Sequence, residues 1–412
     1  MTKGTRPLVK IGKRWPRGAS LWSRKGDKLL KKDELGIYIH MPFCKQKCYY
    51  CDFVSYTNKE SKVKEYIDCV IKEINSYELE KYNITTIYIG GGTPSFVNGY
   101  DIKRIIENIR NKLKNNNTKL EDIEITIEVN PGTVTAEKLR NYKEAGIIRI
   151  SVGLQATQDK LLKQIGRIHN YQDFLNTYKL LKQVGFENIN VDLMIGLPNQ
   201  HIKDLKESLE KIVDLNPTHI SVYSLIVEEG TPINNLLEEG KIELPDEEQE
   251  RRMYWYVKDF LELKGYNHYE ISNFSKKGKE SKHNINCWNQ EQYIGIGAAA
   301  HSYLNDVRYS NTSNLEEYIK NIKENNIEKN RNIEEEQTLE NKRNEFMMLG
   351  FRKIEGVDIA KFKEKFIDNP IFLYKDKIKK LTDEGLIEVD LNNIRLTSKG
   401  LDLANIVFEE FI

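Results

Sequence analysis

The sequence predicts an α/β chain: a partial (β/α)6 barrel of the TIM type, followed by a small α+β, winged-helix-like C-terminal domain. Three observations predict it. Six short β-branched and aromatic runs alternate with five amphipathic stretches between residues 36 and 227, and strand alternating with helix means a parallel sheet. Polar or glycine residues close each run, where ligands gather in such folds. Beyond residue 339 the rhythm changes to helices, a hairpin and a last helix.

The strand runs are 36–43, 85–92, 123–131, 147–155, 189–197 and 219–227. Cys44 follows the first, Gly90, Gly91 and Gly92 end the second, and Glu128 and Asn130 the third. Gln155 closes the fourth, Asp192 lies in the fifth and Tyr223 in the sixth. Helical stretches fall at 60–79, 99–114, 135–145, 171–184 and 201–215. In the first, Val63, Tyr66, Ile67, Val70 and Ile74 share one face, the spacing of a packed helix. Six units fit an incomplete barrel better than a closed eight-unit one.

Segment 228–310 is less regular and reads as an extension of the barrel domain, 34–310. It holds a helix at 246–264, a strand at 268–272, a basic loop at 276–282 and a small-residue run at 295–300. Residues 311–338, rich in Asn, Glu and Lys, read as a solvated helical linker. The end module, 339–412, shows helices near 341–351, 357–366 and 371–384, then a hairpin turning on Asn392 and Asn393. DNA binding is the usual task of a winged helix. Here Lys375, Lys377, Lys379 and Lys380 are mixed with Asp376, Asp383 and Glu384, which suits a packing or lid role equally.

Composition narrows the function. Of 412 residues 39% are hydrophobic and 30% charged, the balance of a globular chain. Lys+Arg 63 against Asp+Glu 62 leaves no global field to recruit nucleic acid. No apolar stretch approaches the roughly 20 residues that span a bilayer. Residues 1–33 are the exception, with eleven Lys/Arg and only Asp27 and Asp33 as acids. They read as a disordered basic arm, with targeting or peripheral contact to an anionic membrane surface as the functional alternatives. Five cysteines, three of them within 44–51, argue for a metal or redox site in a reducing, cytoplasmic compartment and against a disulfide framework.

Cys44-x-x-x-Cys48-x-x-Cys51 sits in the loop after the first strand. Three thiolates at this spacing can hold one side of an iron–sulfur cubane, leaving the fourth iron open to chelate an amino acid's amine and carboxylate. The alternative is zinc, which closes structural sites with four ligands. No second Cys pair is present, and strand alternation turns His40 toward the barrel with Tyr38. Cys69 falls among the apolar positions of a helix and reads as core.

The run from Tyr38 through His40, Pro42 and Phe43 to Cys44, with Tyr49, Tyr50 and Phe53 around the later cysteines, resembles the radical S-adenosylmethionine (SAM) proteins of the oxygen-independent coproporphyrinogen III oxidase branch. Within that branch it is similar to the haem chaperones. The likeness runs from about residue 36 to the C-terminus. It implies a radical SAM barrel with a [4Fe–4S] cluster on Cys44, Cys48 and Cys51 and reductive cleavage of SAM. It also implies SAM contacts by Tyr38, Tyr50, Gly91, Gly92, Thr93 and Glu128, and places Gln155, Arg167 and Asp192 at the pocket. An electron donor such as a flavodoxin or ferredoxin is the expected redox partner. Without the likeness the glycine triplet would be a tight turn, Gln155 a strand cap, Arg167 a solvated base and Asp192 a buried acceptor.

Two features separate chaperone from oxidase. The oxidase has a fourth cysteine two residues after the third, where this chain has Phe53, and its N-terminal segment has no counterpart in residues 1–33. The haem chaperones carry His-Asn-x-x-Tyr-Trp; here His283, Asn284, Cys287 and Trp288 match it with Cys287 in the Tyr place. The likeness implies haem binding by His283 and leaves Cys287 open; otherwise His283 is a loop residue and Trp288 a packing anchor. Gly295, Gly297 and Ala300 form an imperfect dinucleotide motif without the strand–helix–acid context, and read as a close-packed turn. The expected function is haem chaperone, delivering haem to an acceptor protein. The alternatives are a coproporphyrinogen III dehydrogenase and a zinc-stabilised binding module.

Overall fold

The computed structural model describes residues 32–114 and 120–412; the basic segment 1–33, expected as an arm, lies almost wholly outside the described residues. Six βα units follow one another. They are β1 Glu34–Met41 and α1 Val63–Ser76; β2 Asn83–Gly91 and α2 Gly99–Leu113; β3 Glu124–Val129 and α3 Ala136–Ala145. Then come β4 Arg149–Gln155 with α4 Asp159–Gln164 and α5 Tyr171–Val184, β5 Asn188–Ile195 with α6 Ile202–Asp214, and β6 His219–Ser224 with α7 Pro232–Glu238. The strands pair in parallel in chain order.

The strands are bifacial. Ile37, Ile39, Ile87, Ile89, Ile125, Ile127, Ile150, Val152 and Val191 are fully buried in the main core, each contributing roughly 1.5–3 kcal/mol. The alternate positions (Tyr38, His40, Tyr88, Glu128, Arg149, Ser151, Asn190, Asp192, His219) face the other way and are polar. A period of two residues thus builds an apolar jacket around a polar interior.

Helix ends are set locally. Asn170 and Asp173 form a capping box at α5, and Gly185 closes it at φ +89, the left-handed cap that glycine adopts freely. Thr135 caps α3 and Asn98 caps α2, replacing orphan N–H partners.

The extension adds strands to both sheet edges. After α7 Pro232–Glu238 and α8 Glu247–Leu263, β7 Asn267–Glu270 and β8 Asn273–Ser275 join β6 antiparallel. Helix α9 Lys282–Trp288 leads to β9 Tyr293–Ile296, which pairs parallel with β1. β10 His301–Leu304, β11 Val307–Asn311 and β12 Arg331–Glu336 complete a twelve-stranded sheet among the described residues.

The expected linker 311–338 is corrected by this arrangement. α10 Leu315–Lys323 buries Leu315, Tyr318, Ile319 and Ile322 in the main core, and β12 is an edge strand. Composition misled because only one face of α10 is apolar. The clamp beneath it is Glu73, fully buried in α1, which accepts from Gly297 N (2.8 Å), Tyr318 Oη (2.6 Å) and Asn311 Nδ2 (2.7 Å). The Gly295–Ala300 turn spends its amides on this packing: Ala298 N donates to Tyr66 Oη at 3.0 Å.

The C-terminal module has α11 Leu339–Gly350, β13 Val357–Asp358, α12 Ile359–Phe366, α13 Pro370–Leu373, α14 Lys375–Asp383, β14 Ile387–Val389, β15 Asn393–Leu396, α15 Ser398–Asp402 and α16 Ala404–Glu409. Its own core centres on Phe346, Phe351, Phe362, Tyr374 and Phe411. The helix expected over 371–384 breaks in two at Tyr374, whose ring packs on Phe362 and Phe411. Asp390 Oδ1 accepts from the amides of Asn392 and Asn393, at 2.8 Å each, to turn the hairpin. Ile271 N to Arg352 O (3.0 Å) and Ile354 N to Tyr269 O (3.1 Å) tie the module to β7 and β8. No described helix is long and apolar enough to cross a membrane.

Candidate functional site

The loop after β1 is closed at its base: Cys44 N donates to Tyr56 O at 2.9 Å and Tyr56 N to Pro42 O at 2.7 Å. Its far side is pinned by Tyr49 N to Ile165 O (3.0 Å), Ile233 N to Tyr49 O (3.0 Å) and Gln46 Nε2 to Gly166 O (3.0 Å). Cys51 N donates to Cys48 O at 3.2 Å, turning the later two cysteines over the barrel mouth. Cys44 is buried, Cys48 and Cys51 partly so, and all are free thiols. Burial and the neighbouring Cys48 push the Cys51 thiol up to about 11, so a cation must draw its proton off before it can ligate. Among the described residues no three His, Cys, Asp or Glu side chains converge as for a single ion. A cubane asks for wider spacing, since each thiolate meets a different iron.

His40 takes no part in such ligation. Its Nε2–H donates to Val54 O at 2.9 Å, which leaves Nδ1 to accept from Tyr38 Oη at 2.9 Å. Burial first, then the charge of His301, holds it below the usual imidazole range despite that carbonyl.

The Gly-rich segment after β2 lies directly against the loop. Gly92 N donates to Met41 O (2.9 Å) and Thr93 N to Phe43 O (2.8 Å). A Cβ on Gly92 would stand 2.9 Å from Phe43 O and 3.0 Å from Cys44 Sγ, so only glycine lets the two segments meet. From Cys44 a chain of contacts crosses the mouth. Thr93 Oγ1 is 3.4 Å from Cys44 Sγ, Asn130 Nδ2 donates to Thr93 Oγ1 at 3.0 Å, and Arg167 Nη1 donates to Asn130 Oδ1 at 3.0 Å. The Arg167 guanidinium also sits 5.9 Å from the Tyr50 ring centroid.

Two carboxylates face the interior. Glu128 accepts from Tyr88 Oη (2.9 Å) and Gly91 N (3.2 Å); burial dominates and lifts it to about 7. Asp192 accepts from Asn190 Nδ2 (2.6 Å) and Ser151 Oγ (3.3 Å), and burial raises it too. Gln155 ends β4 at φ +77, beside a register shift, a strained backbone of the kind that functional sites retain.

The structure therefore gathers Tyr38, Tyr50, Gly91, Gly92, Thr93, Glu128, Gln155, Arg167 and Asp192 with the three cysteines on the C-terminal half of the barrel. His283 is not among them. It lies at the other end, where its Nδ1 is 2.8 Å from Thr86 Oγ1 and its backbone N donates to Glu124 Oε1 at 3.3 Å. The residue is 8% exposed and its ring stacks on Tyr88, centroids 5.1 Å apart; burial lowers its pKa to about 4. Trp288 lies under the Arg352 guanidinium, 4.4 Å away.

Asn130 and Tyr88 carry contacts that sequence reading did not assign. Tyr88 was legible in principle: with Thr86 and Gly90 it occupies the inward positions of β2.

The site fits a SAM-liganded cluster. It has three thiols and a glycine cradle that a Cβ would fill. It also has carboxylates for a sulfonium, and buried Arg167 Nε and Thr126 Oγ1 without protein partners.

Comparison with known proteins gives the chain its relatives. Residues 38–212 match the radical SAM superfamily and residues 337–403 the HemN C-terminal domain. The chain is 40% identical over 382 residues to the heme chaperone HemW of Lactococcus lactis, covering 91% of this chain and 96% of that one. It is 40% identical over 377 residues to HemW of Bacillus subtilis, covering 91% and 98%. It is 34% identical over 339 residues to HemW of Escherichia coli, covering 81% and 86%. Among solved structures, coproporphyrinogen III oxidase HemN of Escherichia coli superposes with TM-score 0.78 at 21% identity, covering 92% of this chain and 90% of that one, a likeness of fold.

Proposed function

The chain belongs to the radical SAM superfamily and, within it, to the heme chaperone HemW family, and from that premise we propose that it binds haem as well as a SAM-liganded [4Fe–4S] cluster and passes haem to an acceptor protein. Phe53 carries the choice of chaperone over dehydrogenase: it stands two residues after Cys51, in place of the oxidase's fourth cysteine, and is 62% exposed at the mouth.

Cys44, Cys48 and Cys51 would hold the cluster, and Gly91, Gly92, Thr93 and Glu128 would receive SAM. When bound, the cluster supplies an open iron and a single electron. The protein's own part is orientation. Gly92 keeps the two loops in contact, Arg167 and Asn130 fix Thr93, and Glu128 offers negative charge to a sulfonium. Tyr50 under Arg167 covers one side of the mouth.

For haem, His283 is the expected axial ligand. Its ring is enclosed by Thr86 and Tyr88, so haem iron would have to displace that packing to bind it. A flavodoxin or ferredoxin is the proposed electron donor. The proposed compartment is the reducing cytoplasm, which five free cysteines suit.

The test is anaerobic reconstitution followed by a Soret-monitored haem titration with and without SAM. Saturable, stoichiometric haem binding is expected, with no decarboxylation of coproporphyrinogen III under SAM and reductant. Robust decarboxylation would make it a dehydrogenase. Stoichiometric zinc with no acid-labile sulfide would make it a zinc module. His283→Ala should weaken the titration, and an unchanged titration would move the haem site elsewhere.

A further inference from the structure

The interior of the barrel holds a column of rings that joins its two ends. His283 stacks on Tyr88 with centroids 5.1 Å apart and planes 27° off parallel. Tyr88 stacks in turn on Tyr38, 6.3 Å away and 26° off parallel. Thr86, one turn of the strand pleat below Tyr88, anchors the imidazole through its hydroxyl at 2.8 Å. At the top, Tyr88 Oη donates to Glu128 Oε1 at 2.9 Å. Gly90 makes room for this pair: a Cβ there would stand 3.0 Å from the Tyr88 ring and 3.1 Å from Glu128 Oε1.

We propose that Tyr88 is a positioning residue for SAM, its hydroxyl fixing the Glu128 carboxylate while its ring is held from the barrel floor by His283. This rests on the reading of Glu128 as a SAM contact.

The physical case is one of competing demands. A carboxylate in this interior is desolvated, and burial favours its neutral form. The groups that face it are Tyr88 and the Gly91 amide from β2, Tyr38 from β1, Arg149 from β4 and Asp192 from β5. Asp192 opposes the charge; Tyr88, Gly91 and Arg149 favour it. Of the favourable three, only Tyr88 is a side chain that both donates to the carboxylate and reaches the far end of the barrel. A hydroxyl held in a stacked ring arrives with its orientation already set, so little rotamer entropy is lost in making the bond.

Glu128 has to be ionised to attract a sulfonium, so SAM affinity should rise with pH through about 7. Loss of the Tyr88 hydroxyl moves that midpoint upward, since the charged form loses its donor. A residue with a merely structural role would not move the midpoint.

The experiment is a SAM titration by calorimetry on anaerobically reconstituted full-length protein, from about pH 6 to about pH 8, for wild type, Tyr88→Phe, Glu128→Gln and the double variant. Tyr88→Phe should keep its iron and sulfide content, weaken SAM roughly tenfold near neutrality and shift the midpoint upward. Glu128→Gln should bind SAM weakly with no pH dependence, and the double variant should bind no worse than Glu128→Gln. If Glu128→Gln binds SAM like wild type, the reading of Glu128 fails and the proposal with it. If Glu128→Gln weakens SAM but Tyr88→Phe changes neither affinity nor midpoint, the positioning role alone is overturned. Should Tyr88→Phe fail to load its cluster, His283→Leu leaves Tyr88 and its hydroxyl in place and removes the stacked ring behind it together with the bond to Thr86. It should then give a smaller loss of SAM affinity and a smaller upward shift than loss of the hydroxyl would, and the absence of both would overturn the proposal equally.

Discussion

The Thr93 hydroxyl lies 3.4 Å from the Cys44 thiol, on the loop that follows the second strand, while the cysteine follows the first. With Cys44 ionised on iron, that hydroxyl can only donate. A donor on a ligating sulfur stabilises the more negative, reduced cluster and raises its potential. Thr93→Val keeps the shape and removes the donor. The potential should fall by about 20–60 mV, the one-electron equivalent of a single hydrogen bond, as read by EPR-monitored redox titration.

Replacing any one of Cys44, Cys48 and Cys51 with Ser removes a third of the cluster's protein ligands. Each variant should come back from anaerobic reconstitution without the reduced-cluster EPR signal and with iron and sulfide near background. The barrel should remain folded by circular dichroism, because its apolar jacket of strand and helix residues is independent of the loop. Cys69→Ser should leave the cluster intact: its thiol is buried in α1 and points to Ile319 O, 3.8 Å away.

Glu128 links the site to stability with a definite sign. Its folded pKa, about 7, lies above the ordinary carboxyl value, so between the two the folded state holds a proton that the unfolded chain has lost. Stability therefore falls as pH rises through that window and stays low above it. Glu128→Gln removes the penalty. The variant without cofactors should be more stable than wild type at pH 8, by up to a few kcal/mol, and nearly equal to it at pH 4. Urea unfolding at the two pH values checks this; an equal offset at both would reject it.

The six βα units are legible because their strands obey a simple rule: Ile or Val on every second residue, with polar groups between. Cys44, Gly92 and Glu128 stand at strand ends, where sequence alone can locate a mouth. What escaped notice depends on pairing between distant segments. The run Tyr293–Ile296 shows nothing that marks it as the parallel neighbour of β1, more than two hundred residues upstream. Asn130 looks like a turn residue until Arg167 and Thr93 meet it from two other loops. The motif containing His283 is plain in the sequence, yet its burial against Thr86 and Tyr88 follows from the placement of α9, which no local pattern records.

Glu73 was equally hidden, a lone acid on the apolar stripe of α1, and it offers a separate test of how the extension is held. Gly297, Tyr318 and Asn311 all donate to it, and burial raises its pKa despite them. Glu73→Ala would strand three buried donors from three different segments and should cost about 3–5 kcal/mol, seen as a lower urea midpoint. Glu73→Gln keeps the shape and one acceptor oxygen, so it should cost less. Because Tyr66 Oη bridges this region to His40 O at 2.7 Å, the Ala variant should also loosen the strand that leads into the cluster loop. Hydrogen exchange at β1 should accelerate in Glu73→Ala and not in Glu73→Gln; equal protection in both would show that packing of Tyr318 and Ile319, and not the carboxylate, seats the extension on the barrel.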